Sequence, residues 1–156
     1  MSLEQMLKKE YLNGNLQAKN KTEALNELSE IVIKGSLNLN KLNIYDALLQ
    51  REKLGSTGIG DGVAIPHGKI SSLEQVIVAF GRSKNGVAFD SIDGKPVHIF
   101  FLLLAPENST SQHLKTLAKI CRMLKTDNFR QRLLDAESTS DLYEIIMEED
   151  KKHPNL

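Results

Sequence analysis

Residues Arg51 to Lys69 read REKLGSTGIGDGVAIPHGK. The stretch leaves a helix at Arg51, runs through Gly55, Gly58, Gly60 and Gly62 with Ser56 and Thr57 among them, and delivers His67 between Pro66 and Gly68. Glycines this dense remove side chains, so backbone N–H groups can approach a ligand closely and turn inward as an anion-binding concavity. Phosphate is the expected guest, with Ser56, Thr57 and Gly58 as its contacts. Two familiar nucleotide motifs fail here. For a P-loop, Gly62 to Gly68 encloses one residue too many, and Ile70 stands where the Mg²⁺-binding hydroxyl belongs; for a dinucleotide fingerprint, Val63 occupies the third glycine position. What is left is a glycine and hydroxyl loop leading to a histidine, with an arginine upstream. Neutral imidazole is a nucleophile that can carry a phosphoryl group, and arginine holds phosphate oxygens with a bidentate fork. Each residue has an ordinary reading too. Arg51 suits the C-terminal end of a helix dipole, Gly55 suits a helix cap, and His67 alone could be any loop histidine. Their clustering argues for a site.

On the N-terminal side, Leu3, Met6 and Leu7 suggest a short opening helix before the turn Asn13-Gly14-Asn15. Asn20 with Glu23 predicts a capped helix whose inner face is Ala24, Leu25, Leu28, Ile31 and Val32, closed at Gly35. A second helix is predicted from about Asn40 to Leu54, with Leu42, Tyr45, Leu48 and Leu49 inward. Arg51 then lies one turn beyond Leu48, at the edge of the buried face and within reach of the glycine loop.

On the C-terminal side the pattern turns to strands. Val76 to Phe80 is a compact β-branched and apolar run, Asn85-Gly86 is a hairpin signal before Val87-Ala88-Phe89, and Asp93-Gly94 marks another turn. Val97 to Leu104 is apolar on both alternations after His98, as a strand covered on both faces reads. Ser109 with Gln112 predicts a capped helix carrying His113, Leu117, Cys121 and Leu124 on one face and a basic outer stripe of Lys115, Lys119, Arg122 and Lys125. His113 is a polar ring at the start of an apolar stripe; the helix dipole there favours its neutral form, and its ordinary reading is a core-edge histidine bonded to a carbonyl. Cys121 reads as buried packing. Further helices are expected from about Asp127 to Ala136 and after Ser138, the latter with Tyr143, Ile146 and Met147 inward, and the chain is expected to fray from about residue 148, His153 included. Helices on either side of a run of strands predict an α/β sandwich with helices on both faces of a central sheet.

At 156 residues the chain suits one domain with a real core. Lys plus Arg equals Asp plus Glu at 20 each, which lowers the case for a nucleic-acid partner. The single cysteine excludes an internal disulfide and any thiol-based zinc cluster, and suits a reducing compartment. No apolar run approaches the ~18 residues of a membrane span and the N-terminus lacks a signal-peptide core, so a soluble cytoplasmic protein without membrane insertion is expected. A zinc hydrolase built on His67, His98 and His113 is disfavoured, because no pair has helix-type ligand spacing and His98 opens a strand, where a structural role suffices.

With Arg51, GSTGIGDGVAIPHGK and the later HLKTL together, the sequence resembles the enzyme IIA component of the bacterial phosphotransferase system, fructose and mannitol class (EIIA type 2), over nearly the whole chain. The resemblance implies a mixed sheet with helices on both sides, phosphorylation on His67, and a phosphohistidine pocket that includes Arg51 and His113, with Ser56 and Thr57 matching the loop hydroxyls. It implies a phosphoryl donor that is a small HPr-like carrier, with no nucleotide or metal cofactor required. REKLGSTGIG and the Gly68-Lys69 pair look most like the nitrogen-regulatory branch, and the absence of a IIB cysteine loop or a IIC span agrees with an unfused chain. The onward partner is then a regulatory target protein. In the alternative, the sugar-transporting branch, it is a IIB component.

Overall fold

The computed structural model describes residues 2–36 and 38–154. Short 3₁₀ turns at Leu3–Gln5 and Lys9–Tyr11 lead into β1 (Leu12–Asn13), then α1 (Lys21–Gly35) and α2 (Lys41–Lys53). The glycine stretch supplies β2 (Gly58–Gly60), β3 (Val63–Ala64) and β4 (His67–Lys69). The long strands β5 (Ile77–Val87) and β6 (Val97–Ala105) follow, and α3 (Thr110–Leu124), α4 (Asp127–Asp135) and α5 (Thr139–Lys151) complete the chain.

The strands make a six-stranded sheet in the order β1-β5-β6-β3-β2, with β4 also on β6. β5 and β6 are antiparallel, whereas β3 and β4 both run parallel to β6, so the sheet is mixed. β3 and β4 are one lane along the same edge of β6, pairing Ala64 with Phe100 and His67 with Leu103. The lane breaks at Ile65-Pro66 because proline has no N–H to give the ladder. Every β6 side chain except that of His98 is buried, which requires cover on both faces. α1 packs on β5 and α2 on β4, while α3 and α4 lie against β6. The expected α/β architecture, helices on both faces of a mixed central sheet, is what the chain adopts.

The caps at α1 and α5 form as the sequence indicated: Asn20 Oδ1 accepts from Glu23 N (3.0 Å) and Ser138 Oγ from Asp141 N (3.0 Å). Several local expectations need correction. Asn85-Gly86 does not close a hairpin. β5 continues through it to Val87, which pairs with Val97, and Gly86 with φ +89° absorbs an irregularity in the ladder. The turn between β5 and β6 comes later, where Gly94 N bonds Ser91 O (2.9 Å). In α2 the buried stripe is Ile44, Leu48 and Glu52, and Leu42 is 65% exposed. Ser109 occupies the N-cap of α3, but its side chain makes no capping bond, so the predicted capping box is not built. Leu117 and Cys121 are only partly buried, and the inner face of α3 is His113, Thr116, Lys119, Ile120, Met123 and Leu124.

Lys119 is therefore not part of an outer basic stripe. Its side chain is 1% exposed and ion-paired with Asp150 of α5, whose other carboxylate oxygen accepts from Leu3 N (3.0 Å). That contact also corrects the tail: α5 persists to Lys151 with Glu149 and Asp150 buried, and His153 bonds Glu149 (2.8 Å). Asn155 and Leu156 lie outside the described residues. Removing one member of a buried pair leaves the other charge uncompensated in the core, which costs far more than a surface salt bridge contributes. Asp150→Ala should lower the unfolding free energy by about 3–5 kcal/mol in urea titrations, and Lys119→Met with Asp150→Leu should recover most of it; a single mutant as stable as the parent would remove the pair from the stability account.

Candidate functional site

The site begins at the proline break. With Pro66 fixed and β4 anchored to β6, the His67 ring folds back so that Nδ1 lies 2.8 Å from Ile65 O. A carbonyl only accepts, so Nδ1 must carry the proton, and the lone pair of the neutral ring sits on Nε2. That nitrogen faces Arg51, whose Nε donates to it at 3.2 Å. A guanidinium has only donors, so both neighbours specify the same tautomer. Arg51 is itself oriented by a second bond, Nη1 to Gly55 O at 2.8 Å. Helix α2 approaches β4 closely enough to do this because residue 68 is glycine: a Cβ there would sit 3.3 Å from the Ala47 methyl.

From the other side, α3 presents His113 in its first turn. The His67 and His113 rings meet edge to face with centroids 5.5 Å apart. His113 is 7% exposed and its Nδ1 has no hydrogen-bond partner among the described residues, so the ordinary reading of a carbonyl-bonded core histidine does not describe that nitrogen. Lys69 reaches from β4 to Thr110 Oγ1 (3.0 Å), which sets an ammonium at the start of α3. Burial holds both histidines below the usual imidazole pKa. Arg51 adds to the effect at His67, where the Ile65 bond and Glu52 act in the opposite direction. At His113 the positive charge of Lys69 acts in the same direction as burial, as does His67 when its ring is protonated. The arrangement presents a neutral nucleophilic nitrogen, a guanidinium beside it, and a second neutral ring at a helix N-terminus, where negative charge is favoured.

Arg51, His67 and His113 are thus brought together. Ser56, Thr57 and Gly58 are used differently from expectation. Ser56 Oγ donates to Phe89 O (3.2 Å) and accepts from Gly58 N (3.1 Å). Thr57 N donates to Glu52 Oε1 (3.1 Å), and its hydroxyl donates to the other oxygen of the same carboxylate. Gly60 N and Asp61 N are also taken, by Ser91 Oγ and Asp93 Oδ2. The loop hydroxyls and the N–H groups of Thr57, Gly58, Gly60 and Asp61 are therefore taken up within the protein. Its glycines serve the tight β2–β3 hairpin, where Gly60, Asp61 and Gly62 all have positive φ. His98 sits on β6 five residues before Leu103, roughly 16 Å along the strand from His67's partner, and bonds Ser83 O (2.8 Å). Sequence reasoning missed two contributors. Glu52 was legible, since it follows Ile44 and Leu48 at helical spacing on the buried face. The Ile65 carbonyl carried no signal beyond the proline that follows it.

The chain is similar to known proteins in sequence and in fold. Residues 5–149 match the family model described as phosphoenolpyruvate-dependent sugar phosphotransferase system, EIIA 2. A fructose-specific EIIABC component of Bacillus subtilis (strain 168) is 38% identical over 97% of this chain, which spans 24% of that protein's length. A nitrogen regulatory protein of Klebsiella oxytoca is 38% identical, with 95% of this chain and 91% of the relative covered. The crystal structure of nitrogen regulatory protein IIA-Ntr from Neisseria meningitidis superposes with a TM-score of 0.85 at 34% identity, covering 91% of this chain and 97% of that one. No helix among the described residues is long and apolar enough to cross a membrane. With a family model that covers most of its length, this chain belongs to the type-2 EIIA family of the phosphoenolpyruvate-dependent phosphotransferase system.

Proposed function

We propose that this protein carries a phosphoryl group on His67 Nε2, accepting it from the phosphohistidine of an HPr-like carrier. The observation that supports this reading is the pair of bonds on one ring: Nδ1–H to Ile65 O and Arg51 Nε–H to Nε2. In the transfer, the Nε2 lone pair forms the new N–P bond as the donor's N–P bond breaks, and the released electron pair returns to the donor ring. His67 keeps its Nδ1 proton, so positive charge develops on the imidazole and the Ile65 carbonyl stabilises it. Little covalent help is needed beyond position and charge. Arg51 supplies donors for the phosphoryl oxygens and His113 supplies a ring N–H, while Ser56, Thr57 and Gly58 shape the loop that holds Arg51. The donor is a protein, and an apolar rim suits it: Leu54 beside the loop and Leu114 beside His113 are 84% and 59% exposed.

The regulatory role is favoured by relatives matched over most of their own length, such as the Klebsiella protein. Phosphorylation places roughly 2 negative charges at the His67 rim, which a target protein can read. The Bacillus fructose component supports a second reading, in which the group passes to a IIB partner. Offering the phosphorylated protein to IIB domains separates the two, because only the transport reading predicts discharge.

Incubation with phosphoenolpyruvate, enzyme I and an HPr-type carrier should give one acid-labile phosphoryl addition by intact mass. His67→Ala should abolish it and Arg51→Lys should slow it on the order of 100-fold; a fully phosphorylated His67→Ala would overturn the assignment.

A pH dependence follows from the depressed histidines. Between their folded pKa values and the ordinary ~6.5, the unfolded chain binds more protons than the folded one, so stability rises with pH in that window. The contribution is fully present above about pH 6.5 and is lost as pH falls through the folded values. Thermal unfolding from pH 7.5 down to 5 should show a falling midpoint, with a shallower fall in the His67→Gln, His113→Gln double variant; equal slopes would contradict the buried neutral state.

A further inference from the structure

We infer that Glu52 is a positioning residue for phosphoryl transfer, the group from which both hydrogen bonds to His67 are held. The inference rests on the carrier role proposed above. Glu52 is 7% exposed at the end of α2. Its carboxylate takes the N–H and the hydroxyl of Thr57, closing the loop that follows the helix. Thr57 then fixes the ring's first partner, since its carbonyl accepts from Ile65 N (3.0 Å) and Ile65 O accepts His67 Nδ1–H. The same closed loop sets Gly55, whose N–H bonds the Glu52 carbonyl (3.1 Å) and whose own carbonyl orients Arg51 toward Nε2. One buried residue therefore underlies both ends of the imidazole without touching it, through its carboxylate on the Thr57 and Ile65 side and its main-chain carbonyl on the Gly55 and Arg51 side.

The charge needed for this is compensated from another helix. Lys21, the first residue of α1, lies 3.2 Å from Glu52 Oε1, 3.8 Å from the exposed Asp90, and over the Phe89 ring at 5.0 Å. Phe89 O in turn accepts from Ser56 Oγ (3.2 Å). Any buried carboxylate needs partners, and an apolar residue would continue the Ile44 and Leu48 stripe without them; what singles out Glu52 is that its partners lie on the loop that carries the contacts to His67. Glu52 closes the loop with three hydrogen bonds, two from Thr57 to its carboxylate and one from Gly55 N to its main-chain carbonyl.

The test reads the ring directly and then the chemistry. Long-range ¹H–¹⁵N correlation of unphosphorylated protein at pH 8 should show His67 as the single Nδ1–H tautomer. Glu52→Ala should give a mixture of tautomers, and Glu52→Gln, which can still accept from Thr57 N and donate to its hydroxyl, should restore the parent pattern. Transfer from the phosphorylated carrier should fall about 10- to 100-fold in kcat for Glu52→Ala, with KM for the carrier unchanged. If Glu52→Ala does not fold, Thr57→Val, which removes only the hydroxyl contact, should show the same tautomer mixing to a smaller degree. A folded Glu52→Ala or Thr57→Val protein with the parent tautomer overturns the inference, whatever its transfer rate. A shifted tautomer in a protein that no carrier phosphorylates leaves the positioning intact and removes the carrier role instead.

Discussion

The hydrogen bond from His67 Nδ1 to the Ile65 carbonyl is the constraint on which the rest of the site depends. It spans only two residues, and it exists because proline follows Ile65. Pro66 interrupts the ladder between β3 and β4 and leaves the preceding carbonyl turned toward the ring instead of into a regular strand. Once that carbonyl claims Nδ1, the lone pair can only be on Nε2, the nitrogen that faces Arg51. A histidine on a free loop would interchange tautomers and present either nitrogen. Here the sheet decides, through a strand of three residues pinned to a long strand buried at every residue but His98.

What the linear sequence made visible, and what it did not, divides along the range of the interactions. Helices with a cap and a regular stripe, such as α1 with Asn20 and Glu23, depend on contacts within a few residues and were legible. So was the doubly covered strand from Val97, because burial on two faces leaves no alternation to misread. Asn85-Gly86 misled because the same φ > 0 that serves a two-residue hairpin also serves a bulge, and only the partner strand chooses between them. Lys119 misled for a similar reason. Its position at the flank of α3 is ambiguous until Asp150 arrives from α5, and long-range charge pairing has no periodicity to detect.

At the site, residue identity was legible and residue task was not. Arg51, His67 and His113 stand out by type and context, and they do converge. The loop hydroxyls stand out equally well, but a glycine-rich run can cradle an anion or simply turn tightly. The sequence of such a run does not say where its N–H groups will be spent. In this chain they are spent on Glu52, Ser56, Ser91 and Asp93. On the proposed reading, the charge that meets the phosphoryl group comes from side chains, chiefly the guanidinium.

That division of labour bears on how a phosphorylated state can differ from an unphosphorylated one. On the proposed reading, bonding Nε2 to phosphorus consumes the lone pair that Arg51 Nε now uses, so that donor must turn to the phosphoryl oxygens. The Ile65 bond on the opposite nitrogen is unaffected and becomes stronger as the ring gains positive charge. Sheet and histidine backbone thus keep their positions while Arg51, and the Gly55 carbonyl it now holds, adjust. The change of state is confined to the end of α2 and the adjoining loop tip, beside the exposed Leu54. A partner that docks there meets both the new charge and the altered backbone, whereas one that docks on the distant β1 edge meets neither.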